Sequence, residues 1–172
     1  ASVRNRFQYQ NLMYMTAGLL AGKLADTSWE SFTRERILVP LGMKNTVFSV
    51  PDAAKTGNVS KPYEVKKETE ELAEMAYRDI QALGPAGTIF SSVHDMAQWL
   101  RFQLGDGTLD GTAVVSATQL AETHEPQMVG ETPFVFPEKP IVLYGLGWFI
   151  QPYRGHARIH HGGNIDGFSA MV

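Results

Sequence analysis

Three short stretches carry side chains that could do chemistry. Tyr9-Gln10-Asn11 sets a phenol and a carboxamide at the mouth of an apolar helix. Gly84-Pro85-Ala86-Gly87-Thr88 is a tight backbone passage with the hydroxyls of Ser91 and Ser92 behind it. His161-Gly162-Gly163-Asn164 follows an alternating segment and joins an imidazole to two residues without side chains. A phenol or imidazole within hydrogen-bond reach of a reacting hydroxyl can carry its proton. Backbone amides aimed at one point can hold a developing oxyanion. Taken singly, each stretch has an ordinary structural reading. A tyrosine before a helix packs, a glycine pair permits unusual backbone angles, and His-Gly-Gly turns the chain.

The elements that must position these groups follow from periodicity. Leu12, Met15, Leu19 and Leu20 fall at helical spacing, which predicts a buried helix over about 11–25. Thr27 with Glu30 fits a capping box for a second helix carrying Trp29, Phe32, Ile37 and Leu38. Pro40 and Gly42 stop it. Pro51 to Gly57 reads as loop, Val59 to Tyr63 as a short strand, and Glu64 to Glu74 as a solvated excursion or exposed helix. Ser92 with Asp95 opens a third helix, and Ser116 with Gln119 a fourth. Pro126, Pro133, Pro137 and Pro140 mark a loop. Tyr144 to Ile150 then alternates as a strand, Arg154-Gly155 turns it, Ala157 to His161 returns, and Phe168 to Val172 begins a third strand. Helices first and antiparallel strands after make the class α+β. The expected layout is a single partial domain over 1–172, with a helical region over about 1–140 and strands of an antiparallel sheet over about 141–172.

Side chains alternate along a strand. His161 shares a face with Ala157 and Ile159, the apolar side, whereas His160 shares one with Arg158 and His156. That alternation selects His161 for a cleft and leaves His160 at the surface.

Bulk composition narrows the function classes. The 172 residues are 44% hydrophobic and 19% charged, the proportions of a folded globular chain. A net charge of -3 offers no basic face for nucleic acid. Without cysteine there is no disulfide scaffold, thiolate zinc site or cysteine nucleophile. The longest apolar stretch, Leu12 to Leu24, is interrupted by glycines and Lys23 and is shorter than the roughly 20 residues of a membrane span. No targeting signal precedes it, so the compartment stays open.

In their order, the three stretches resemble the serine hydrolase family of class C β-lactamases, penicillin-binding proteins, D-aminopeptidases and related esterases. The resemblance runs over nearly the whole chain. Its most specific part is Trp29-Glu30-Ser31-Phe32 through Arg36-Ile37-Leu38-Val39-Pro40-Leu41-Gly42-Met43-Lys44-Asn45-Thr46. Pro85-Ala86-Gly87-Thr88-Ile89-Phe90-Ser91-Ser92 resembles the family's Ala-Gly-Gly segment, with Thr88 where a second glycine is usual. Tyr144-Gly145-Leu146-Gly147-Trp148 and His161-Gly162-Gly163 are similar to the strands leading to its third catalytic element.

The resemblance implies an incomplete β-lactamase/transpeptidase-like fold and an acyl-enzyme mechanism. Tyr9 takes the place of the Tyr-x-Asn tyrosine, a proton relay, and His161 that of the third-motif Lys or His; these are the catalytic expectations. Asn11, Gly163 and Asn164 are the substrate-binding ones, with the Asn164 amide helping to bind the oxyanion. The implied substrate is a small-molecule or peptide ester or amide. No cofactor or metal is implied. A neutral histidine gives less charge than lysine for a substrate carboxylate at pH 7, which tilts the expectation toward an esterase or peptidase. Periplasmic or secreted location is what the family suggests.

One departure is large. The family acylates a serine in Ser-x-x-Lys, and no serine of this chain has lysine three residues on; Ser31, followed by Arg34, comes nearest. The expectation is therefore that the nucleophile lies in a missing N-terminal half of the same protein, that final strands follow Val172, and that this chain alone is inactive. Two other functional readings stay open. One is a zinc site at His156, His160 and His161, although on a strand His156 and His160 stand about 13 Å apart. The other is a non-catalytic binding module that keeps the fold. An α/β-hydrolase triad lacks its Gly-x-Ser-x-Gly elbow here.

Overall fold

A computed structural model describes residues 2–130, 138 and 140–172. In chain order the elements are α1 (Asn11–Leu24), α2 (Trp29–Thr33) running into a π-helical turn (Arg34–Leu38), α3 (Val50–Lys55), β1 (Tyr63–Val65) and β2 (Leu72–Glu74). A 3-10 turn (Gln81–Ala86) and α4 (Val93–Leu104) follow, then β3 (Thr108–Leu109), β4 (Thr112–Ala113) and α5 (Ala117–His124). The chain finishes with β5 (Met128–Val129), β6 (Leu143–Tyr144), β7 (Phe149–Tyr153), β8 (His156–His160), β9 (Gly162–Ile165) and β10 (Phe168–Met171). Helices and small antiparallel sheets make the class α+β, as the order of elements in the sequence led one to expect. The backbone gathers into two units. One is Ala1–Tyr9, Arg101–Gly162 and Met171–Val172; the other is Gln10–Leu100 and Gly163–Ala170.

In the second of these units α1 packs by its glycines. A Cβ on Gly18 would meet Pro85 at 2.3 Å, and one on Gly22 would meet the Trp29 backbone nitrogen at 2.7 Å. These two residues, four apart, form a smooth strip against which α2 and the 3-10 turn close. Gly22 is the one buried residue of α1. The helix is therefore not the buried one its leucines imply: Leu12, Met13, Leu19, Leu20 and Leu24 are all exposed, Leu24 at 80%. Large side chains on the opposite face cannot follow the backbone into a contact that only glycine admits.

The helix starts are set by hydroxyls. Ser28, not Thr27, caps α2, accepting from the Ser31 amide. Ser49 caps α3, where a loop was expected; Pro51 falls in the first turn, the place in a helix that tolerates it. The segment over 64–74 is a hairpin, not a helix, with register Tyr63↔Glu74 and Val65↔Leu72, and β1 begins where the expected strand of Val59 to Tyr63 ends. Ser92 accepts from the Asp95 amide at the start of α4.

Asp95, 1% exposed, is the knot of this unit. Its Oδ2 accepts from the Asn45 amide at 2.8 Å and from the Thr46 hydroxyl at 2.7 Å. Val47 and Phe90 pair backbone to backbone beside it. The Gly84–Ser92 passage is thus held at its Phe90–Ser92 end.

In the other unit β5, β6, β7 and β8 form an antiparallel sheet in sequence order. Tyr144 to Ile150 is not one strand: Gly145 to Trp148 turn the chain between β6 and β7, with Gly147 at φ +92°. The alternation of glycines with large residues was a turn's composition. Pro133 and Pro137 lie outside the described residues. Ser116 caps α5 by accepting from the Gln119 amide. Phe102, Leu109, Leu120 and Tyr144 form the buried apolar set. Among the described residues no helix is long and apolar enough to cross a membrane.

Candidate active site

The sheet's register brings Tyr144, Phe149 and His160 side by side, since Tyr144 pairs with Phe149 and Phe149 with His160. Cross-strand partners share a face, so three rings line one surface of the sheet. Residues 2–9 run onto that surface. The Arg4 guanidinium donates to Gln127 Oε1. Phe7 lies edge-on to Tyr144 at 5.3 Å between ring centroids, and Tyr9 lies parallel to Phe149 at 6.4 Å with planes 8° apart.

His161 follows the last residue of β8, and its amide and carbonyl both pair with Val172, at 2.9 and 3.0 Å. These reciprocal bonds add one antiparallel pair next to the β9–β10 pairing, while the pairing of β8 with β7 ends at His160. On an unbroken strand consecutive side chains point to opposite faces. Here both histidines reach the same ring: His160 is 5.8 Å and His161 5.5 Å from the Phe149 centroid. The face argument for the two histidines therefore fails. Ala157 and Ile159 are exposed, while Arg158 and His160 are half-buried, so His160 is not the surface residue of the two.

The His161 ring also meets Tyr9. Tyr9 Oη and His161 Nε2 are 3.2 Å apart, and the rings lie 5.9 Å centroid to centroid with planes 29° apart. Tyr9 is 48% exposed and His161 half-buried, so both can be reached from solvent. A phenol on an imidazole nitrogen is a pair through which a proton can pass in either direction.

The remaining expected residues belong to the other unit. Asn11 is the first residue of α1 and is exposed. Gln10 caps that helix, its Oε1 accepting from the Leu12 amide. Gly163 and Asn164 are exposed on β9, a strand where a turn was expected, and a Cβ on Gly163 would meet nothing within 4 Å. The turn after β9 is fixed by Gly167 at φ +78°, where a Cβ would meet Pro62 at 2.4 Å. Arg78 pairs with Asp166 at 2.9 Å and Tyr77 stacks on Phe168 at 6.0 Å, tying that turn to the segment over 76–79.

Sequence reading passed over Phe7, Phe149 and the ring surface they build with Tyr144. The available signal was the spacing of Phe7 and Tyr9, two residues apart and so on one side of an extended chain. Another histidine, His124, sits away from the pair: Nε2 is 2.9 Å from Gln103 Oε1, the ring is edge-on to Trp148, and burial pushes its pKa below the ordinary value.

The family model described as Beta-lactamase matches residues 2–172. An unguisins hydrolase of Aspergillus campestris is 28% identical over 178 residues, a match that covers 100% of this chain and 31% of that protein. The chain thus spans about a third of the length of the curated relative. The octameric penicillin-binding protein homologue of Pyrococcus abyssi superposes with TM-score 0.84 at 24% identity, over 99% of this chain and 36% of that one. The D-amino acid amidase of Ochrobactrum anthropi SV3, solved with L-phenylalanine amide, superposes with TM-score 0.72 at 21% identity, over 95% and 44%. At such identities the two structures speak to the fold.

Proposed function

The chain belongs to the Beta-lactamase family, and from that premise we propose that it is the part of a serine hydrolase that supplies a tyrosine–histidine proton relay to a nucleophilic serine carried elsewhere in the same protein. The observation that carries this reading is the 3.2 Å separation of Tyr9 Oη and His161 Nε2. The substrate is an ester or amide, in keeping with relatives named for the hydrolysis of unguisins and of D-amino acid amides.

The chemistry is as follows. In the resting pair the Tyr9 hydroxyl donates to neutral His161 Nε2. Passing that proton to the imidazole leaves a phenolate facing an imidazolium. The phenolate takes the serine proton as the serine oxygen attacks the substrate carbonyl, and Tyr9 then delivers the proton to the departing alcohol or amine. The carbonyl oxygen, now negative, needs backbone amides to hold it; the resemblance implies that role for the Asn164 amide and a substrate-binding role for Asn11. Water releases the acyl group by the same relay in reverse.

The test starts from the longer protein. It should contain Ser-x-x-Lys ahead of the segment equivalent to Ala1, and a fluorophosphonate probe should label that serine. The 172-residue chain by itself should not turn over nitrophenyl acetate. A longer protein that carries the motif yet resists the probe would favour the binding-module reading instead. Turnover by the chain alone that Tyr9→Phe abolishes would contradict the division of labour.

A further inference from the structure

One ring touches every aromatic side chain of the candidate site. Phe149 lies 6.4 Å from Tyr9, 5.5 Å from His161, 5.8 Å from His160, 4.8 Å from Tyr144 and 6.4 Å from Phe7. It makes no hydrogen bond and can carry no proton, so any part it plays is positional.

We infer that Phe149 is the positioning residue of the Tyr9–His161 pair, the wedge that fixes the distance and tilt between phenol and imidazole. This deepens the proposed function and rests on it. Tyr9, His161 and Phe149 form a triangle of centroids with sides of 5.9, 5.5 and 6.4 Å. Tyr9 enters from a stretch with no regular structure, so no backbone ladder sets its ring, and His161, tied by its backbone to Val172, lies just past the end of the β7–β8 pairing. Phe149 is different: its backbone is in β7, paired to β6 on one side and β8 on the other. It is the ring with a rigid mount. Tyr144, edge-on to it at 73°, closes the side away from the histidines. Offset-parallel and edge-to-face arrangements at these separations are the attractive ones for aromatic rings. Tyr9 and His161 therefore each rest on a fixed face and meet each other at the far corner.

A shorter, flexible side chain at 149 would leave both rings free to turn, and a 3.2 Å contact does not survive rotation about χ1 of either partner. Phe149→Leu keeps an apolar residue in the strand and removes the flat face. Phe149→Tyr keeps the face.

The test reads the hydrogen bond, not catalysis. When Tyr9 donates to Nε2, the neutral imidazole carries its own proton on Nδ1, and nitrogen NMR of the His161 ring above its titration distinguishes the two tautomers. With Phe149 in place, Tyr9→Phe should shift the tautomer ratio toward Nε2–H by about fivefold, the size of one ordinary hydrogen bond. In the Phe149→Leu background Tyr9→Phe should leave the ratio unchanged, and in Phe149→Tyr the fivefold response should return. A full response in the Phe149→Leu background overturns the role of Phe149 while leaving the pair intact. No response even with Phe149 present removes the hydrogen bond itself, and with it the relay proposed above. Should Phe149→Leu fail to fold, the unsubstituted chain still decides: nuclear Overhauser contacts from the Phe149 ring to both the Tyr9 and His161 rings are required, and their absence overturns the inference.

Discussion

Tyr9 Oη and His161 Nε2 stand 3.2 Å apart although 152 positions separate them in the chain. Both histidine rings reach Phe149, His160 at 5.8 Å and His161 at 5.5 Å, with the His161 backbone held by its two bonds to Val172.

That geometry predicts a division between stability and chemistry at position 9. Tyr9→Phe removes a hydroxyl from a residue that is 48% exposed and keeps its ring on Phe149. Its effect on the unfolding free energy from urea denaturation should be within about 0.5 kcal/mol, the usual range for such a surface change. A loss well above that would assign the hydroxyl a structural role.

Asp95 should behave in the opposite way. Asp95→Ala takes the carboxylate from the Thr46 hydroxyl, 0% exposed, leaving it Ser91 alone, and from the amide of the exposed Asn45, which water can reach. Weakening the bonding of one buried hydroxyl costs about 1–3 kcal/mol, so the substitution should destabilise the chain by about that much. Chemical denaturation compares it with Asp95→Asn, which keeps one acceptor oxygen and should lose less.

The two sides of α1 should also separate. Gly22→Ala drives a methyl to within 2.7 Å of the Trp29 backbone and should cost about 1–3 kcal/mol. Leu24→Ser, on the face that is open, should cost less than about 0.5 kcal/mol beyond the small loss of helix propensity. Equal costs would mean that the leucine face is covered in solution.

What could be read from the letters alone divides along the same physical line. Caps that work through one side chain and one amide were legible: Ser92 with Asp95 and Ser116 with Gln119 open α4 and α5. Burial was not. Hydrophobic spacing marks a face of α1 but cannot say that glycines make the closer contact. Nor does alternation reveal a break. Tyr144 to Ile150 reads as one strand until Gly147 adopts a positive φ, and His161 was selected over His160 by a parity that does not hold where both rings reach Phe149. The meeting of Tyr9 with His161 came from the resemblance, since no local pattern links residues that far apart.

His124 gives a pH prediction independent of the site. Burial lowers its pKa, so the folded chain binds that proton less readily than the unfolded chain. Its contribution to stability is complete above the unfolded value of about 6.5 and is lost as pH falls from there through the lower folded value. Thermal melting should therefore show a decline in this acid window that is shallower in His124→Gln. The same slope in both proteins would remove His124 as its source.

The most direct measurement of the central claim is kcat/KM for ester hydrolysis by the longer protein that carries Ser-x-x-Lys, with and without Tyr9→Phe. Loss of a general acid–base group should lower it by about 100-fold or more, with His161→Ala falling by a similar factor and the double substitution little further. Unchanged kcat/KM in Tyr9→Phe would contradict the relay, whatever the distance between the two rings.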